Sequence, residues 1–107
     1  MHTHDVIKLS EMELVAHLKT MDLAEMEGHA RAIVLELGSE NYGGLMTRVM
    51  QCVKEGGAQH KATFIAVQAT IKDFLPHEAY KSDIYARLAA IMMTIIARRF
   101  RDLYAVN

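Results

Sequence analysis

The stretch from Ile84 to Ala97, IYARLAAIMMTIIA, is apolar except at Arg87 and Thr94. A helix of that composition has to be covered on more than one side, whereas a surface helix shows one apolar stripe and a polar back. In a chain of 107 residues, such a helix requires either a central position or a second protein. The rest of the chain has little to offer it, because a domain this small buries only about two thirds of the surface its unfolded chain exposes.

At 100 degrees per residue, Asp83, Arg87, Thr94, Arg98 and Arg101 gather into one polar sector roughly 60 degrees wide. Ile84, Leu88, Ile91 and Ile95 form a first apolar seam, and Tyr85, Ala89, Met92, Ile96 and Leu103 a second beside it, with Met93 and Phe100 beyond. Two seams serve two neighbours. Four short or medium helices are expected to fall short of covering a helix of about six turns. A homodimer that uses one patch twice about a two-fold axis is the expected remedy. The expected homodimer or partner interface is therefore Ile84, Tyr85, Leu88, Ile91, Met92, Ile95, Ile96 and Phe100. Phe64 on the preceding helix is an added apolar anchor.

The remaining sequence predicts an all-α fold, a small irregular bundle of about five helices in a single domain spanning residues 1–107. Residues 1–9 are expected to form a mobile arm. Ser10 with Glu13 is a capping-box signature that starts a short helix over Glu11 to Lys19, with Met12, Leu14, Val15 and Leu18 at helical spacing. Asp22 with Glu25 offers a similar start, and Leu23, Met26, Ala30, Ile33, Val34 and Leu37 carry that helix to Gly38. Ala32 to Leu37, AIVLEL, competes as a short strand, but no second convincing strand exists to pair with it. The loop GSENYGG from Gly38 to Gly44 precedes a helix over Leu45 to Glu55, and Gly56-Gly57 ends it. Ala58 to Leu75 is the next helix, closed by Pro76. The last runs from Glu78 or Ser82 to Tyr104.

Composition excludes several function classes. Half the residues are hydrophobic (51%), with no Trp and eight Met, which suits gap filling in an adaptable helical core. The formal net charge is −1, so the molecule lacks the positive field that phosphate-backbone binding needs. The N-terminal MHTHDVIKLSEMEL carries no export or organelle pattern, and the apolar run falls short of the roughly 18 residues of a membrane span. With Cys52 as the single cysteine, a reducing compartment is the fit, and a cytoplasmic protein is expected.

Six His invite a metal or acid-base reading, but no H-E-x-x-H or C-x-x-C pattern occurs. Glu25 and His29 lie one helical turn apart, which reads as a surface pair. His2 and His4 form a fortuitous chelator on the arm, His77 is a turn residue, and His17 lies on a helix surface. Cys52 near Lys54 and His60 reads as a small buried side chain in preference to an activated thiol. Gly56-Gly57 lacks the Lys and Ser/Thr of a phosphate loop. No enzyme activity, metal or cofactor is expected.

At Gly56-Gly57-Ala58-Gln59-His60, followed by the helix to Leu75, the chain resembles the central Gly-Gly-x-Gln-His segment of TraM-type quorum-sensing antiactivators. The terminal Val106-Asn107 also fits. The resemblance implies a stoichiometric inhibitor that binds a LuxR-type, acyl-homoserine-lactone-responsive transcription factor and keeps it from dimerising or reaching DNA. It implies a structural or binding role for Gln59 and His60, without direct contact to nucleic acid. The competing readings are a small DNA-binding regulator, from the helix-Gly-Gly-helix unit and Arg98 to Arg101, and a metal enzyme or sensor built on Glu25, His29, His60 and Cys52. An immunity protein or secretion chaperone shares the physics of the first reading.

Overall fold

Three of the helix starts are written into the sequence as side-chain caps. In the computed structural model, which describes residues 2–57, 60–75 and 82–100, the Ser10 hydroxyl accepts from the Glu13 N–H at 3.2 Å and the Glu13 carboxylate from the Ser10 N–H at 3.0 Å. This reciprocal box starts the helix over Glu11–Leu18, and its bonds, led by that from the Ser10 N–H, hold the Glu13 carboxyl below its ordinary pKa. Asp22 accepts from the Glu25 N–H at 2.8 Å and Asn41 from the Gly44 N–H at 3.0 Å. They start the helices over Leu23–Glu36 and Tyr42–Gly56. The Asn41 cap explains why the latter begins three residues before the expected Leu45.

The described residues form six helices and no strand: α1 (Thr3–Lys8), α2 (Glu11–Leu18), α3 (Leu23–Glu36), α4 (Tyr42–Gly56), α5 (Lys61–Phe74) and α6 (Ser82–Arg99). The competing strand over residues 32–37 is resolved in favour of helix up to Glu36, and Gly38 turns the chain at a φ of 97°. The extra helix is α1, on residues expected to be a mobile arm. Val6 is buried and α1 packs on α3. The Thr3 hydroxyl lies 2.9 Å from His29 Nδ1, tying the two helices together. His29 is therefore a buried residue with Glu25 3.7 Å from its other nitrogen, and the expected surface pair is corrected on that point. Proline 76, His77, Glu78, Arg101, Leu103, Tyr104, Val106 and Asn107 lie outside the described residues.

Helix α6 is the axis of the bundle, packed against α2, α3, α4 and α5. Leu88, Ala89, Met92 and Ile96 are 0% exposed, Ile91 and Ile95 1%, Tyr85 4% and Ile84 7%. Over the described residues both apolar seams are thus covered within one chain, and there the expectation that the other helices fall short is corrected. The reason is angular. Its buried side chains span roughly two thirds of the helical wheel, and the remaining arc carries Ala86, Ala90 and Ala97 beside Asp83, Arg87, Thr94 and Arg98. Small and polar residues need less cover than the size argument assumed.

That arc is where α2 lies. Arg87 Nε donates to the Leu9 carbonyl at 2.7 Å, just before α2 begins. Arg98 donates from Nη1 to the Met21 carbonyl at 2.5 Å and from Nη2 to the Leu18 carbonyl, where α2 has ended. The two arginines therefore clamp both ends of α2, which runs parallel to α6. The Arg98 guanidinium satisfies carbonyls that a helix C-terminus leaves open and complements its dipole. Arg99 pairs with Glu27 on α3, so both described arginines of the expected basic patch are engaged in the fold.

Tyr42 is buried against the fold, its hydroxyl has no hydrogen-bond partner among the described residues, and the Arg31 guanidinium stacks 4.5 Å from its ring. Burial pushes the phenol's pKa up, against a smaller opposing pull from Arg31.

Two predictions follow from this packing. Ile95→Ala is expected to cost about 2–5 kcal/mol in urea unfolding as a cavity at the axis. Arg98→Ala should cost about 1–3 kcal/mol and selectively accelerate amide exchange in α2. An Arg98→Ala chain with unchanged α2 protection would show that the clamp is dispensable. For Tyr42, the raised pKa means the folded state holds its proton after the unfolded state has lost it. The associated stability is complete below the unfolded value near 10 and lost as pH rises through the folded one. Unfolding between pH 9 and 11.5 should show this loss, and Tyr42→Phe should reduce it without lowering stability at neutral pH.

Candidate functional site

The corner between α4 and α5 is fixed by two glycines with different duties. Gly57 holds φ 88° and ψ 145° while its N–H caps α4 on the Val53 carbonyl at 2.7 Å. That conformation is one that residues with a Cβ rarely adopt. A Cβ there would also stand 2.8 Å from the His60 ring. At Gly56 a Cβ would collide with the hydroxyl of Thr63, a buried residue of α5. Gly56 thus permits close approach of α5, and Gly57 permits the turn into it. The Gly-Gly pair is accounted for by helix packing.

This corner delivers His60 and the first turns of α5 to one side of a groove. His60 is the N-cap residue of α5, exposed and making no side-chain cap bond. Lys61 and Phe64 follow it along the same wall. The opposite wall is α2 with its C-cap, through Val15, Leu18 and Lys19, and the floor is α6, through Ala90 and Thr94 of the small-residue arc and the neighbouring Met93, with Arg98 also lining it. The groove holds about 460 Å³. The two wall helices also carry exposed large apolar side chains: Met12, one turn before Val15, is 86% exposed and Val15 itself 49% on α2, and Ile65 is 56% exposed on α5. Leu35, on α3, is the other large apolar side chain exposed among the described residues.

The expected interface residues divide between core and groove. Phe64 and His60 line the groove. Ile84, Leu88, Ile91, Met92, Ile95 and Ile96 are buried in the chain's own core and offer no surface to a partner. Tyr85 is buried too, with the Lys72 ammonium 5.6 Å from its ring centroid. Phe100 is half-buried and packs against the core. Gln59 lies outside the described residues. Lys19, Met93 and Arg98 were missed because each lies outside α5, the helix that carries Phe64, and only the folded chain gathers them; Lys61 lies on α5 itself, one turn before Phe64.

Val15 had a signal in the sequence. On α2, Leu14 and Leu18 project to one side and Met12 and Val15 to another, roughly 60–160 degrees away. One inward face cannot hold all four, and the structure buries Leu14 and Leu18 while exposing Met12 and Val15.

Nothing in the described residues assembles metal-binding or nucleophilic chemistry. No group of three His, Cys, Asp or Glu is placed to hold a metal ion. Cys52 is half-buried with its sulfur 3.3 Å from the Thr70 hydroxyl on α5, and His60 stands at the groove. No helix among the described residues is long and apolar enough to cross a membrane. Comparison with protein-family models, curated proteins and solved structures returns no match.

The corner generates its own prediction. Gly57→Ala should destabilise the fold by about 1–3 kcal/mol through its unfavourable φ, read as a lower urea midpoint at unchanged slope. A neutral Gly57→Ala would mean that the α4–α5 turn has another conformation.

Proposed function

We propose that the chain is a protein-binding inhibitor of the antiactivator kind. It acts in the cytoplasm by sequestering a LuxR-type quorum-sensing transcription factor and preventing its dimerisation or DNA binding. The observation that carries this reading is the apolar groove between α2 and α5, into which the chain sends Phe64 and His60 directly after the Gly56-Gly57 corner. That corner is the segment on which the resemblance to TraM-type antiactivators rests. Groove and resemblance thus meet at His60.

The mechanism is occupation without chemistry. Phe64 supplies an apolar anchor, and burying a ring of that size contributes about 1.5–3 kcal/mol. Val15, Met12 and Ile65 extend the contact beyond it. The side chains of α6 that hold the bundle together are spent on the core, so the partner docks on a surface already formed in the single chain and has no need to open it. No proton, metal or nucleophile is required.

The test is a titration of the purified chain into a LuxR-type regulator loaded with its acyl-homoserine lactone and bound to operator DNA. Release of the DNA should saturate at a fixed ratio of the two proteins, as binding does and catalysis does not. Phe64→Ala should weaken release by about tenfold, the equivalent of 1.4 kcal/mol, while far-ultraviolet circular dichroism stays helical. No release and no complex on size exclusion, with the chain folded and in excess, would sink the proposal.

A further inference from the structure

The groove has a charge pattern that the chain as a whole lacks. The formal net charge is −1, yet the described residues that line the groove include Lys19, Lys61 and Arg98, together with His60, and no carboxylate. Lys19 and Lys61 are exposed and both line it, one at the end of α2 and one at the start of α5. Arg98 adds fixed charge, although its N–H groups already bond the Leu18 and Met21 carbonyls. Between the cations lies an apolar bed of Val15, Phe64 and Met93.

An apolar bed with a cationic rim selects its complement. We infer that the groove between α2 and α5 docks an acidic amphipathic helix of a partner protein, its apolar side on Phe64, Val15 and Met93 and its carboxylates at Lys19 and Lys61. Length agrees, because the strip from Met12 to Lys19 measures about 10 Å, two turns of a helix laid along it. A second copy of this chain is disfavoured by symmetry: an isologous pair through this face would set a cationic rim against a cationic rim. The identity of the natural partner rests on the antiactivator reading; the ligand chemistry does not.

The experiment uses the full chain and two fluorescent peptides of about four helical turns, one with Leu on one face and Glu on the other, and a twin with Lys replacing Glu. Anisotropy should show the Glu peptide binding about tenfold or more tighter than the Lys twin, with affinity falling as salt rises. Lys19→Glu/Lys61→Glu should invert that preference. Lys19→Gln/Lys61→Gln should abolish it, and covers the case in which charge reversal disturbs α2. Equal binding of both peptides, or no effect of either double variant, overturns the inference. Displacement of the Glu peptide by equimolar laurate overturns it in favour of a free anionic amphiphile. Peptide binding that competes with self-association in sedimentation overturns it in favour of a second copy. The LuxR-type regulator separates the two claims. If it fails to bind while the Glu peptide binds, the groove assignment stands and the antiactivator reading falls; if it binds parent and double variants alike, the reverse holds.

Discussion

Everything in this fold answers to one constraint: α6 is apolar around most of its circumference, and four other helices of eight to fifteen residues cover it. Helices α3, α4 and α5 take the two wide seams, where Leu88, Met92 and Ile96 reach complete burial. What remains is an arc of alanine, threonine and arginine. There α2 adds directed bonds to the burial of Leu14 and Leu18, with Arg87 and Arg98 fastening its backbone at either end. Each is a charged donor on a half-buried carbonyl, a class of bond worth about 1.5–3 kcal/mol. The same helix thus binds its neighbours in two ways, by area on one side and by area and hydrogen bonds on the other.

The polar edge of α6 was legible in the sequence, but its purpose was not. Spacing alone places Arg87 and Arg98 on one line with Thr94, and a line of charge on an otherwise apolar helix ordinarily marks the solvated side. The side chains of arginine are long enough to reach another helix's backbone, and backbone carbonyls leave no mark in a sequence. For the same reason the burial of α6 was misjudged: the wheel counted alanine as surface to be covered, although Ala86, Ala90 and Ala97 can remain half-exposed at little cost. Caps were read correctly at Ser10 and Asp22 because their partners lie three residues away. The order of α1 was invisible because Val6 and Thr3 find their partners on α3, with Thr3 meeting His29 26 residues away.

The groove follows from a mismatch of lengths. With eight residues, α2 measures about 12 Å, while α6, with 18, measures about 27 Å. A short helix pinned at both ends along one edge of a long one leaves a strip beside it uncovered, and α5 bounds that strip on its far side. Filling the strip with large side chains on α6 would have closed it. Ala90 and Thr94 there are small and keep the floor low beside Met93.

This bears on how a chain of this size presents a binding surface without weakening itself. If Ile91 and Ile95 formed the contact surface, as the seams suggest, binding would have to compete with the core that keeps the protein folded. Placing Val15 and Ile65 on the outer sides of α2 and α5, with Phe64 half-buried between core and groove, largely separates the two tasks. The separation depends on the Arg98 clamp, because α2 carries both Leu14 and Leu18 inward and Val15 outward, and only a fixed rotation of that helix keeps each on its side. The burial of Leu14 and Leu18 and the bonds from Arg98 to two backbone carbonyls set that rotation together.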